Sequence, residues 1–148
     1  MLALDNSMHS AYALESVLER PWPDNSEFLV YAVYEPYHPD FAGWDETAVE
    51  QAVLYARRLE EELNNYAASC AKRLQEKFKG CKVFVEVSES ARIKESIIEK
   101  AESWNCQLLV MGSHGRTGLQ RFLLGSVSQA VVAHAPCSVE IIKRPHGS

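Results

Sequence analysis

A chain of 148 residues, 47% hydrophobic and 24% charged, suits a single globular domain and excludes disordered, collagen-like and low-complexity classes. Fifteen basic residues against twenty acidic leave a formal charge of -5, which argues against nucleic acid or an anionic membrane as a sequence-independent partner. The longest apolar stretch, Phe28 to Tyr34, is far short of the ~18 residues that span a bilayer, and Met1 to Asp5 lacks a signal peptide's basic start and long apolar core. A cytoplasmic protein without membrane insertion is expected.

Met1 to Leu4 is a short apolar run ending at Asp5 and reads as a buried strand. Ala11, Leu14, Val17 and Leu18 then fall at helical spacing, with Asn6 and Ser7 available as caps and Pro21 as the stop. Phe28 to Val33, rich in Val and aromatics, is a second buried strand. After Glu35, the stretch holding Pro36, Tyr37, Pro39, Phe41, Gly43 and Trp44 breaks any periodic pattern and reads as an apolar loop. From Glu46 the apolar positions Val49, Ala52, Val53, Ala56, Leu59, Leu63, Tyr66, Cys70, Leu74 and Phe78 predict a long amphipathic helix that Gly80 ends.

Lys82 to Glu89 alternates, with Val83, Val85 and Val87 on one face, which predicts an edge or half-covered strand. Ile93, Ile97, Ile98, Ala101 and Trp104 outline a helix, and Leu108 to Met111 is a buried strand running into Gly112. A helix over Ser126 to His134, with Val127, Ala130 and Val131 on one face, and a last strand over Val139 to Ile142 complete the order. Cys70, Cys81, Cys106 and Cys137 form no C-x-x-C and no metal-ligand pairing with His, so reduced, partly buried thiols are expected. The regular alternation predicts an α/β domain: an open five-stranded parallel sheet with helices on both faces, in the Rossmann manner. Ligands of such sheets sit beyond the carboxyl ends of the strands where the winding reverses, which directs attention to the loops after Leu4, Val33 and Met111.

The stretch from Leu108 to Gly118, followed by Leu119 to Leu124 and Gly125-Ser126, carries the chemistry. Its glycines allow backbone N–H groups to close on phosphate oxygens, and Gly125-Ser126 adds N–H groups and a hydroxyl at the next helix's N-terminus. Each glycine alone is equally read as a turn or a cap. No G-x-x-x-x-G-K-[ST] occurs, so no Walker lysine reaches a terminal phosphate, and the dinucleotide fingerprint is absent as well. Arg116 and Arg121 are the nearest cations, each otherwise a solvated side chain, and His114 lies within the loop without an identifiable catalytic partner.

The pattern G-x2-G-x9-G-[ST], present as Gly112, Gly115, Gly125 and Ser126 after a Leu-Leu-Val-Met strand, resembles the ATP-binding signature of the universal stress protein family. Leu123 to Ser128, His134 to Cys137 and the final Val-Glu-Ile-Ile strand are similar to the family's C-terminal half, and Leu2 to Ser7 and Ser10 to Leu14 resemble its first strand and helix. The resemblance implies strand order 3-2-1-4-5, a homodimer through Ser138 to Lys143, and ATP, ADP or AMP, with Mg2+ where a metal is held. Together with the loop's own residues it gives a candidate site of Asp5, Val33, Met111, Gly112, His114, Gly115, Arg116, Gly125, Ser126 and Val127. Gly112, Gly115, Gly125 and Ser126 fall to phosphates and ribose, and Asp5 and Val33 to the adenine end; Asp5 is equally a cap for the first helix. Asn6 stands where the family commonly has glycine, and Ser88 to Ala91 lacks the family's Gly-x-Pro turn.

The expected role is a nucleotide-dependent stress-response and signalling module with an unidentified protein partner and at most slow ATP hydrolysis, since no set of groups for rapid phosphoryl transfer is visible. The alternatives are a hydrolase or autophosphorylating enzyme using a metal near Asp5, and a nucleotide-free dimeric scaffold. The aromatic loop Tyr34 to Trp44 and the helix after it read as a lid, as a docking surface, or as aromatics packed on their own domain.

Overall fold

The two most apolar strands pair in the middle of the sheet, where both faces are covered. In the computed structural model, which describes residues 1–35, 46–115 and 124–143, the order is β1 (Leu2–Leu4), α1 (Met8–Leu18), β2 (Glu27–Tyr34), α2 (Glu46–Lys77), β3 (Lys82–Glu89), α3 (Ile93–Ser103), β4 (Leu108–Gly112), α4 (Ser126–His134) and β5 (Ser138–Ile142). The sheet runs β3-β2-β1-β4-β5, every pair parallel. Leu2 stands opposite Val30 on one side and Val110 on the other, so the carboxyl ends of β1, β2 and β4 lie together. The fold class is the one the alternation predicts, and the strand order is the one the family resemblance implies. Residues 36–45 of the aromatic loop, together with Arg116, Arg121 and Arg144, lie outside the described residues.

Side-chain alternation divides the core into two layers. On one face Leu2, Leu4, Phe28, Val30 and Val110 pack against Ala13, Leu14 and Val17 of α1 and Ala67, Cys70, Ala71 and Leu74 of α2. On the other, Ala3, Leu29, Tyr31, Val33, Leu109 and Met111 pack against Ile97 and Ala101 of α3 and Val131 of α4. β3 is an edge strand as expected; Val83 and Val87 pack toward α2, while Val85, on the same face, is 43% exposed. The cysteines are unpaired, three of them buried and Cys137 half-buried.

Two local readings shift. α1 buries Ser10, Ala13, Leu14 and Val17, so its core stripe is rotated away from Ala11. Ser7 is the N-cap, its hydroxyl accepting from the Ser10 N–H at 3.1 Å, whereas Asn6 takes φ 60, the left-handed region that glycine favours and asparagine tolerates. Asn6 thus holds a backbone conformation that glycine would also adopt without strain.

The 32 residues of α2 span ~48 Å at 1.5 Å per residue, against ~26 Å for an eight-residue strand. Its C-terminal half is pinned to the sheet through Leu63, Ala67, Cys70, Ala71 and Leu74, and only Ala52 is buried in the first four turns. Because β2 feeds α2 at the sheet's carboxyl edge, those first turns stand above the strand ends. Among the described residues no helix is long and apolar enough to cross a membrane.

Candidate functional site

A cleft of about 880 Å³ opens at the carboxyl edge of the sheet, where the strand order reverses between β1 and β4. Asp5, Val33, Met111, Gly112, His114, Gly115, Gly125, Ser126 and Val127 all line it. The tenth predicted residue, Arg116, lies outside the described residues.

One end of the cleft is built by β4, the loop after it and the start of α4. The Gly125 N–H donates to the Ser113 carbonyl at 2.8 Å, and the Ser113 N–H to the Ile142 carbonyl at 2.9 Å, which fixes the loop against β5. The buried Ser128 hydroxyl donates to the Gly112 carbonyl at 3.0 Å and locks α4 onto β4. The first intrahelical bond of α4 runs from Gln129 N–H to the Gly125 carbonyl. The preceding amides of Ser126, Val127 and Ser128 thus head the helix, where its dipole favours negative charge.

The three glycines have three different reasons. A Cβ on Gly112 would lie 2.7 Å from the backbone carbon of His9, so this position is glycine because α1 crosses β4 there. A Cβ on Gly115 would lie 2.8 Å from Asp5 Oδ2, and one on Gly125 would make only ordinary contacts at 3.4 Å. The packing of this chain therefore does not require glycine at position 125.

Asp5 is not the cap of α1, which is Ser7, and its carboxylate lies at the glycine loop rather than at the end of β2. Its Oδ1 accepts from the Ser7 N–H at 3.1 Å and braces the entry to α1, while Oδ2 points toward Gly115. His114 Nδ1 lies 3.1 Å from the Ser113 hydroxyl, and its ring centroid is 5.1 Å from that of His9. Among the described residues no group of three or more His, Cys, Asp or Glu is placed to hold a metal ion.

The other end of the cleft is made by distant segments and is mostly apolar, Glu35 being its charged residue among those described. Tyr55, Leu59 and Leu63 of α2 form one wall, Ile93 and Ile97 of α3 the other, and Tyr31, Val33 and Tyr34 the floor. Tyr34 donates to Glu89 Oε2 at 3.2 Å; burial first, then the Glu60 and Glu89 carboxylates, push its hydroxyl up to about 12. Tyr66 of α2 lies 3.3 Å from the hydroxyl of Ser10, a cleft residue of α1, and burial likewise pushes its hydroxyl up to about 12. Both tyrosines are therefore neutral hydrogen-bonding struts at physiological pH. The Ser90 N–H donates to the Tyr34 carbonyl at 2.9 Å, so the turn that lacks Gly-x-Pro still closes onto the end of β2.

Sequence reasoning missed Tyr55, Ile93, His9 and Ser128. Tyr55 stands four residues before Leu59 and eight before Leu63, a helical spacing that was available. Nothing local indicates that the ridge rises past the sheet. Ser128 was visible only as a small polar residue on the inner face of α4.

The universal stress protein family model matches residues 1–143. A universal stress protein of Methanocaldococcus jannaschii is 37% identical over 116 residues, which cover 78% of this chain and 65% of that protein. The chain thus spans somewhat less than two thirds of that relative. Among solved structures, the hypothetical protein MJ0577 superposes with a TM-score of 0.82 at 25% identity, covering 99% of this chain and 95% of the other. A universal stress protein family member from Arabidopsis thaliana, solved with AMP bound, shares the fold with a TM-score of 0.57 at 21% identity, covering 99% and 91%. Given a family match over nearly its whole length, the chain belongs to the universal stress protein family.

Proposed function

We propose that the cleft binds an adenine nucleotide, ATP foremost, and that the chain acts as a nucleotide-dependent stress-response module. The observation that carries this reading is the polarity of one cleft. Helix-heading amides and close-approach glycines lie at one end, and an apolar slot between α2 and α3 lies at the other. A phosphate chain suits the first and a planar base the second. The AMP held by the Arabidopsis protein of the same fold supports the ligand class.

In this reading Gly115, Gly125 and Ser126 face phosphates and ribose, with Met111, Gly112, His114 and Val127 beside them, and Val33 meets the base with backbone groups and an apolar surface. Arg116 adds positive charge. Mg2+ is commonly held by one or two carboxylates together with substrate phosphates, and Asp5, aimed at Gly115, is a carboxylate suited to that task. It would screen phosphate charge when bound. Slow hydrolysis is the most this set of groups is asked to supply. Among the described residues β5 pairs with β4 alone, and this edge position supports homodimerisation through Ser138 to Lys143.

The test is mass spectrometry of small molecules released by denaturing freshly purified protein, followed by titration of the stripped protein with AMP, ADP and ATP. Released adenine nucleotide and saturable binding are expected. An empty protein that binds none of the three would contradict the proposal.

A further inference from the structure

We infer that Tyr55 of α2 is the aromatic face on which the base of the bound nucleotide stacks, an inference that rests on the adenine-nucleotide reading above. Tyr55, Leu59 and Leu63 stand at i, i+4 and i+8 and make a single ridge along α2. The ridge is graded. Leu63 is buried against Ala32 and Tyr34, Leu59 is half-buried on the same cluster, and Tyr55 is 55% exposed yet lines the cleft.

The grading follows from length. β2 ends at Tyr34, under Leu59 and Leu63, so one helical turn further up the ridge has passed the last residue of the strand. Ile93 of α3 lines the cleft from the opposite face of the sheet. Two walls from opposite faces, rising over the ends of β1 and β2, leave a slot, and a planar heteroaromatic ring presents two apolar faces to such walls. An aromatic ring is the side chain that gains most from a stacked partner. The phosphate end lies across the cleft at Gly115 and Ser126, so Tyr55 can act on the base without touching the phosphates.

The experiment measures calorimetric affinity for ATP and for inorganic tripolyphosphate, which has no base, in wild type, Tyr55→Leu and Tyr55→Phe. Tyr55→Leu is expected to weaken ATP about tenfold, the loss of one stacking partner, Tyr55→Phe to restore it, and tripolyphosphate affinity to stay the same in all three. Unchanged ATP affinity in Tyr55→Leu, or a parallel loss for tripolyphosphate, would overturn the inference while leaving the nucleotide reading standing. Wild-type protein that binds tripolyphosphate but gains nothing from the base, or that binds neither, would overturn that reading and the inference with it.

Discussion

The two ends of the cleft are built in opposite ways. The β4–α4 end comes from residues 111–115 and 124–128, close in sequence and held by short backbone bonds such as Gly125 to Ser113. The α2–α3 end is assembled from β2, α2 and α3, with Val33, Tyr55 and Ile93 far apart in the chain. A local motif can specify geometry for a charged, conserved-shape group such as phosphate, because backbone amides need only the right turns. A slot for a base requires side chains that only the completed fold brings together.

The sharpest way to break this comparison is at Gly112, which belongs to the motif but serves the fold. Gly112→Ala puts a Cβ 2.7 Å from the His9 backbone, which no side-chain movement relieves. A loss on the order of 1–3 kcal/mol is expected, read as a fall in Tm of roughly 2–4 °C per kcal/mol for a chain of this size. An unchanged Tm would mean that α1 is not seated on β4 as described.

Much of this architecture was legible from residue patterns. Continuous apolar runs marked β1, β2 and β4 as central, alternation marked β3 as an edge, and helical spacing found all four helices. The glycine spacing pointed to the anion end, since that signal lies within one loop, whereas Asp5, assigned to the adenine end, aims Oδ2 at Gly115. The rest depended on contacts distant in sequence. Tyr55 reads as one more residue of an amphipathic helix until α2 is seen to outrun β3, and Gly112 reads as a phosphate glycine until α1 is seen crossing it. Likewise, Ala13 rather than Ala11 faces the core because the sheet sets the rotation of α1.

A smaller effect is expected at Ser128, which ties the two halves of the anion end together. Ser128→Ala removes the 3.0 Å bond and leaves the Gly112 carbonyl without its hydroxyl donor, a loss of about 1 kcal/mol. Thermal unfolding should register it as a small fall in Tm, and ATP affinity should weaken several-fold as the start of α4 loosens. Affinity unaffected by a measurable loss of stability would separate the helix anchor from the ligand site.

The smallest effect lies outside both ends. Arg20, just past the end of α1, donates from both terminal nitrogens to Glu140 of β5, with Nη1 to Oε2 at 2.6 Å. This hydrogen bonding, aided by the Arg20 charge and opposed by burial, holds the Glu140 carboxyl below its ordinary value of 4.5. A depressed carboxyl stabilises the fold above that value and stops doing so as pH falls through the folded-state titration below it. Both side chains are about one-third exposed, so the gain is under ~1 kcal/mol. Glu140→Gln should therefore lower Tm slightly at neutral pH, converge with wild type as pH falls through that titration, and leave ATP affinity unchanged. A difference that persists in acid would point to packing rather than charge.

The most direct test of the central claim is calorimetric titration of nucleotide-stripped protein with ATP and Mg2+, wild type beside Gly115→Val. At Gly115 the new side chain meets the far end of a flexible carboxylate, Asp5 Oδ2, rather than backbone, so the fold should survive and circular dichroism should overlay. Saturable binding by wild type that is lost in Gly115→Val is the predicted result. Equal binding by the two proteins would contradict the account and reduce the glycine loop to a turn.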